Sequence, residues 1–125
     1  SRGLGDVYKR QSLHTPLTAE TKGLVNADMI KLMKPTAVLI NTARGPVVDS
    51  DALAAALNEG RLAGAGIDVF ETEPPIPADH PLCHAKNTVL TPHVAFASKE
   101  ALETRADIVI ENIKAWEAGK PQNLV

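Results

Sequence analysis

The 125 residues, 44% of them hydrophobic and 22% charged, have the make-up of an ordinary globular domain rather than of a disordered chain, at a length that allows one domain or part of one. A formal charge of −2, with Lys and Arg scattered, provides no basic stripe for phosphates, so nucleic acid is not an expected partner. No apolar run approaches the ~18 residues needed to cross a bilayer, so no membrane-spanning helix is expected, and the lone Cys83 excludes an internal disulfide and suits a reducing compartment.

Residues 1–11 (SRGLGDVYKRQ) show neither helical nor strand periodicity and read as an unpaired polar leader with no role in the fold. From Ser12 onward, short apolar runs alternate with amphipathic segments, the pattern produced by βα units on a parallel sheet. Asn26 is placed to cap a short helix expected from about Ala27 to Met33, stopped by Pro35, with Met29, Ile30 and Met33 on its apolar face. The run Ala37 to Ile40, bounded by Asn41 and Thr42, predicts a strand buried on both faces. Asp49 or Ser50 caps the next expected helix, which runs through Leu53, Ala56 and Leu57 to Gly60. Leu62 to Phe70 predicts another strand, whose small residues Ala63, Gly64, Ala65 and Gly66 let a backbone or ligand come close. Glu71 to Lys86 contains Pro74, Pro75, Pro77 and Pro81 and reads as an irregular loop, long enough to suspect a function. Thr88 to Thr91 predicts a third strand. Ser98 caps a last helix whose Leu102, Ala106, Val109, Ile110, Ile113 and Trp116 fall at helical spacing, so that one face is expected to be buried before Gly119 and Pro121 end it.

In an open parallel sheet, ligands bind beyond the carboxyl ends of the strands, and three expected strand ends carry unusual residues. Arg44 follows the first in NTARG, Asp68 closes the second in GIDVF with Glu73 five residues beyond, and His93 follows the third in TPH. Arg offers a planar fork that matches a carboxylate, and His is suited to proton exchange near neutral pH. A carboxylate bonded to that imidazole would fix its tautomer and support it as a general acid. Taken singly, each residue also has a plainer reading: Arg44 as a surface ion pair or a cap on nearby carbonyls, His93 as a helix-entry or core-satisfying residue, Glu73 as a solvated carboxylate. Their shared placement brings the catalytic reading level with these, and spacing alone goes no further.

Four strings carry a resemblance: SLHTPLTAET at Ser12 to Thr21, INTARGPVVDSDAL at Ile40 to Leu53, GAGIDVFETEPP at Gly64 to Pro75 and TPHVAFAS at Thr91 to Ser98. In this order and at these separations the chain, from Ser12 to Val125, resembles the D-isomer-specific 2-hydroxyacid dehydrogenases, as the C-terminal part of their NAD(P)-binding domain. The resemblance implies an α/β fold: part of a Rossmann-like, doubly wound parallel sheet, with a C-terminal helix returning towards a missing substrate domain. It implies that Arg44 binds and polarises the carboxylate and carbonyl of a 2-oxo acid, that His93 is the acid and base at the substrate oxygen, and that Glu73 is its carboxylate partner. It assigns the cofactor side to Thr42, Ala43 and Asp68, with Thr15, Thr21 and Ala95 more peripheral. The implied cofactor is NAD, with NADP left open. The implied reaction converts hydroxypyruvate or glyoxylate to glycerate or glycolate in a cytoplasmic homodimer. A nucleotide-sensing, corepressor-like binding protein and an inactive fragment are the alternatives.

His80, Cys83 and His84 in DHPLCHAKN superficially offer metal ligands, but no second pair at ligand spacing completes a tetrahedral set. No metal is expected; His80 and His84 read as surface residues and Cys83 as a small packed one. The family pattern is broken in two places. No G-x-G-x-x-G stands between a strand and a helix, so the backbone cradle for a pyrophosphate is missing and the chain reads as a fragment that is inactive alone. Residues 1–11 do not resemble the helix end and strand that would lead into Ser12 and read as non-native.

Overall fold

The computed structural model describes residues 10–72 and 75–124. The chain divides into two compact units, Ser1–His93 and Val94–Val125. The readings made for residues 1–9, for Glu73 and for Pro74 lie outside the described residues.

The first unit is an α/β layer built on a four-stranded, wholly parallel sheet in the order β1 (Arg10–Leu13), β2 (Val38–Asn41), β3 (Gly64–Ile67), β4 (Thr88–Leu90). The registers align Leu13 with Asn41, Asn41 with Ile67, and Ile67 with Leu90, so the residues that follow each strand emerge along one carboxyl edge. Arg10 and Gln11 correct the expectation of an unpaired leader: they pair with Val38 and Leu39. The ladder is made of backbone groups, and a strand with a neighbour on one side tolerates polar side chains that hide its periodicity.

Helix α1 (Ala27–Lys31) starts where Asn26 accepts from the amides of Asp28 and Met29, as expected, but ends two residues before Met33. Leu32 and Met33 continue only as a tightened turn, their amides donating to the carbonyls of Met29 and Ile30. Its core contact is Ile30, whereas Met29 is 39% exposed. Helix α2 (Ser50–Asn58) is capped by Asp49, which accepts from the Ala52 amide, and ends at Gly60 with φ +71°. Its buried residues Leu53, Ala54, Ala56 and Leu57 pack with Leu39, Val47, Val48, Leu62 and Ile67 into one cluster. Expected strand limits shrink at both ends of β3, because ladder pairing stops at Ile67 while Asp68 and Val69 remain buried.

The second unit is α3 (Lys99–Glu117), capped by Ser98, whose hydroxyl accepts from the Ala101 amide, and closed by Gly119 at φ +70°. The tail folds back through Gln122 and Asn123, both donating to the Asn112 side chain. The expected buried face is not found: no residue of α3 is buried, and Ile113 and Trp116 are 53% and 72% exposed. Among the unit's described residues α3 is the only helix or strand, so the unit itself contains no second layer to receive its apolar side.

Candidate active site

The exit of β2 is a turn organised by Asn41, which is buried. Its side chain accepts from the Ala43 amide and donates to the Arg44 carbonyl at 3.0 Å, folding Thr42–Ala43–Arg44 back on the end of β2. A 3₁₀ turn follows at Gly45–Val47. Gly45 is buried against Phe70 and Glu71, and a Cβ there would fall inside the Phe70 carbonyl group, so only glycine lets these two strand exits approach. The guanidinium of Arg44 donates to the Ala43 carbonyl at 2.7 Å. The residue is exposed, and none of the salt bridges among the described residues engages it. Among the described residues no ion pair engages Arg44, and its bond to the Ala43 carbonyl matches the plainer reading of a cap on a nearby carbonyl.

The loop between β1 and α1 is tied to the same turn. Gly23 and Val25 donate to the carbonyls of Pro46 and Val47, and Asp49 donates back to Val25. Within that loop, Thr21 accepts from the Thr18 amide and donates to the Pro16 carbonyl, so its hydroxyl serves the loop itself. Thr15 differs: its hydroxyl oxygen is buried without a hydrogen-bond partner among the described residues.

Asp68 is 3% exposed and joins the other two exits. Its amide donates to the Asn41 carbonyl, its carbonyl accepts from the His93 amide at 2.8 Å, and its carboxylate accepts from the Thr91 hydroxyl at 2.5 Å. His93 is held with φ +57°, a left-handed conformation that a non-glycine residue adopts rarely and that recurs at functional sites. Asp68, Phe70, Ile76 and His93 line a cleft of ≈ 10 Å³, room for about one water. A larger cavity, ≈ 430 Å³, lies at the opposite end of the strands, between β1, α1 and Ala37, away from these residues. Ala95 belongs to the second unit.

The loop after β3 holds a cluster that the sequence reading passed over. The Glu71 carboxylate accepts from the Ser50 hydroxyl at 2.5 Å and pairs with His80 Nε2 at 3.0 Å. His80 Nδ1 accepts from the Leu82 amide, which sets the tautomer: Nε2 carries the proton and donates to Glu71. The ring stands edge-on to Phe70, with centroids 5.2 Å apart. Burial raises the Glu71 carboxyl, but the hydrogen bonds from Ser50 and His80 outweigh it and hold the group below its ordinary value of 4.5. His80 is thus not the surface residue expected, its side chain being 11% exposed. Cys83, expected to be packed, is exposed, because the 3₁₀ turn Pro81–His84 directs Leu82 into the core instead. His84 does lie at the surface, bonded to the Ala78 carbonyl. The signal available for His80 was positional, a polar residue one step before a proline-led helical turn, where a side chain caps.

Residues 11–95 match the family model of the D-isomer specific 2-hydroxyacid dehydrogenase, NAD binding domain. The chain belongs to this family. A glycerate dehydrogenase of Methylorubrum extorquens is 51% identical over 91% of this chain and 37% of its own length. A glyoxylate reductase of Korarchaeum cryptofilum is 52% identical over 91% of this chain and 34% of its own. Among solved structures, an NADPH-dependent glyoxylate/hydroxypyruvate reductase from Sinorhizobium meliloti, in complex with NADP and malonate, superposes with a TM-score of 0.75 at 44% identity, over 86% of this chain and 33% of that one. The chain therefore spans about a third of the length of these family members. The family's parallel α/β sheet is the fold seen here.

Proposed function

We propose that this chain, as part of a longer polypeptide, belongs to an NAD(P)-dependent dehydrogenase that interconverts a small 2-oxo acid, glyoxylate or hydroxypyruvate, with the D-2-hydroxy acid. The observation that carries the reading is the family match together with a solvent-exposed Arg44 and a His93 in the left-handed conformation on one carboxyl edge. The names of the two curated relatives support the choice of substrate.

Arg44 receives the substrate carboxylate, for which its planar fork is matched, and its charge draws electron density from the adjacent carbonyl. His93 donates a proton to the carbonyl oxygen in reduction and takes it back in oxidation. Glu73 is its carboxylate partner. The nicotinamide supplies or accepts the hydride when bound. The residues present fit such a group: the orphaned hydroxyl of Thr15 requires a polar partner, and Thr42, Ala43 and Asp68 emerge beside it on the same edge. Thr21 and Ala95 are more peripheral candidates. The exposed thiol of Cys83 supports a reducing, cytoplasmic setting, and the apolar side chains of α3 support a homodimer in the whole protein.

In the complete enzyme, His93→Ala is expected to lower kcat by ~10² to 10⁴, the range for one general acid. Arg44→Lys is expected to raise KM for the oxo acid and lower kcat, because a point charge does not reproduce two-pronged binding. Steady-state kinetics on glyoxylate and hydroxypyruvate decide: near-normal turnover of both variants, with only thermal stability altered, would discard the reading.

A further inference from the structure

We propose that Glu71, with Ser50 and His80, is a positioning device of the active site, setting the loop from which the catalytic carboxylate is presented. The inference rests on the reading of His93 and Glu73 given above. Glu73 stands two residues beyond Glu71 in the chain, inside the segment whose two ends this network ties together.

The first end is fastened twice. Glu71 is bonded to Ser50, the first residue of α2, and its backbone is pressed against Gly45. The other end is fastened to the first, since His80, nine positions later, donates to the same carboxylate and packs on Phe70. Beyond His80 the chain stays on α2: Leu82 is buried, and the Lys86 amide donates to Asn58 at the helix's last turn. The proline-rich stretch of eight residues between Glu71 and His80 is thereby closed at its base, and a segment with joined ends has fewer conformations open to it.

The chemistry of the three groups also excludes a different role for the histidine. An ionised carboxylate only accepts, so Glu71 accepts a hydrogen bond from each neighbour, and His80 has both ring nitrogens engaged, one by Glu71 and the other by the Leu82 amide. No ring nitrogen is left to meet a substrate. Glu71–His80 therefore resembles a catalytic pair in composition but serves as a clasp.

The test uses the complete dehydrogenase. Glu71→Gln presents one acceptor and one donor where two acceptors are needed, and His80→Ala removes the second tie. Both are expected to lower kcat by ~10-fold or more, the scale of a displaced catalytic group, while KM for reduced nicotinamide changes by less than about twofold. His80→Gln, which keeps an N–H near the Nε2 position, is expected to restore most of kcat, and nicotinamide fluorescence titration reports that each variant is folded. Unchanged kcat in Glu71→Gln and His80→Ala, with only the melting temperature lowered, overturns the proposal. So does equal loss in His80→Gln and His80→Ala. His93→Ala is measured alongside: if it retains turnover, the underlying reading falls and this one with it, whereas lost turnover there beside unaffected Glu71→Gln and His80→Ala sinks the clasp alone.

Discussion

At the scale of single residues, the site depends on positions whose importance is not chemical. Gly45 carries no functional group, yet its missing side chain is what lets the Arg44 turn lie against Phe70 and Glu71. Gly45→Ala forces apart backbone on both sides and is expected to destabilise the chain by about 3 kcal/mol or more, the upper end for overpacking, because backbone cannot rotate out of the way as a side chain can. Urea denaturation measures it, and a loss below about 1 kcal/mol would show that the two exits are not in fixed contact. Local signals of this kind were legible where their partners were near in sequence. The caps at Asn26, Asp49 and Ser98 and the left-handed stops at Gly60 and Gly119 each need only a few neighbouring residues. His80 was misread because its partners, Glu71 and Phe70, lie nine and ten positions back.

At the scale of elements, the sheet's register matters more than any strand's exact length. Leu13, Asn41, Ile67 and Leu90 stand side by side, and this brings the exits of β1 to β4 to one edge. The loop after β3 is bound to α2 by a carboxylate held below its ordinary value, first against the effect of burial and then by the bonds from Ser50 and His80. A carboxyl depressed in the folded state stabilises the fold above its unfolded value, here 4.5, and that contribution fades as pH falls through the lower folded value. Denaturation of the chain and of its Glu71→Gln variant is therefore expected to differ at pH 7 and to converge as pH falls below 4.5 and through the lower folded value. A gap that persisted unaltered into acid would mean that the charge of Glu71 does not contribute. Element identity followed from patterning, while α1 ended early because Leu32 is 80% exposed and offers no burial to extend the helix.

At the scale of the whole chain, two features leave apolar or backbone groups uncovered. β1 has a neighbour only on the β2 side among the described residues, and α3 exposes Leu102, Ile108, Val109, Ile110, Ile113 and Trp116. The isolated 125-residue chain is expected to self-associate and to bind a hydrophobic dye, and sedimentation velocity over a concentration series checks this. A sedimentation coefficient of a monomer, independent of concentration and without dye binding, would refute it.

The sequence alone determined the α/β alternation, the helix caps and stops, and the family, because each is written in short-range patterns: hydrophobic period, capping residues and four ordered strings. It also singled out Arg44, Asp68 and His93 as strand-exit residues. Only the tertiary structure decided that Arg10 and Gln11 belong to the sheet, that Asp68 bonds to both Asn41 and His93, and that Ser50, Glu71 and His80 form one network. The physical reason is common to these: ladder pairing and close packing join groups through space, and side-chain type does not record which distant backbone or side chain will lie opposite.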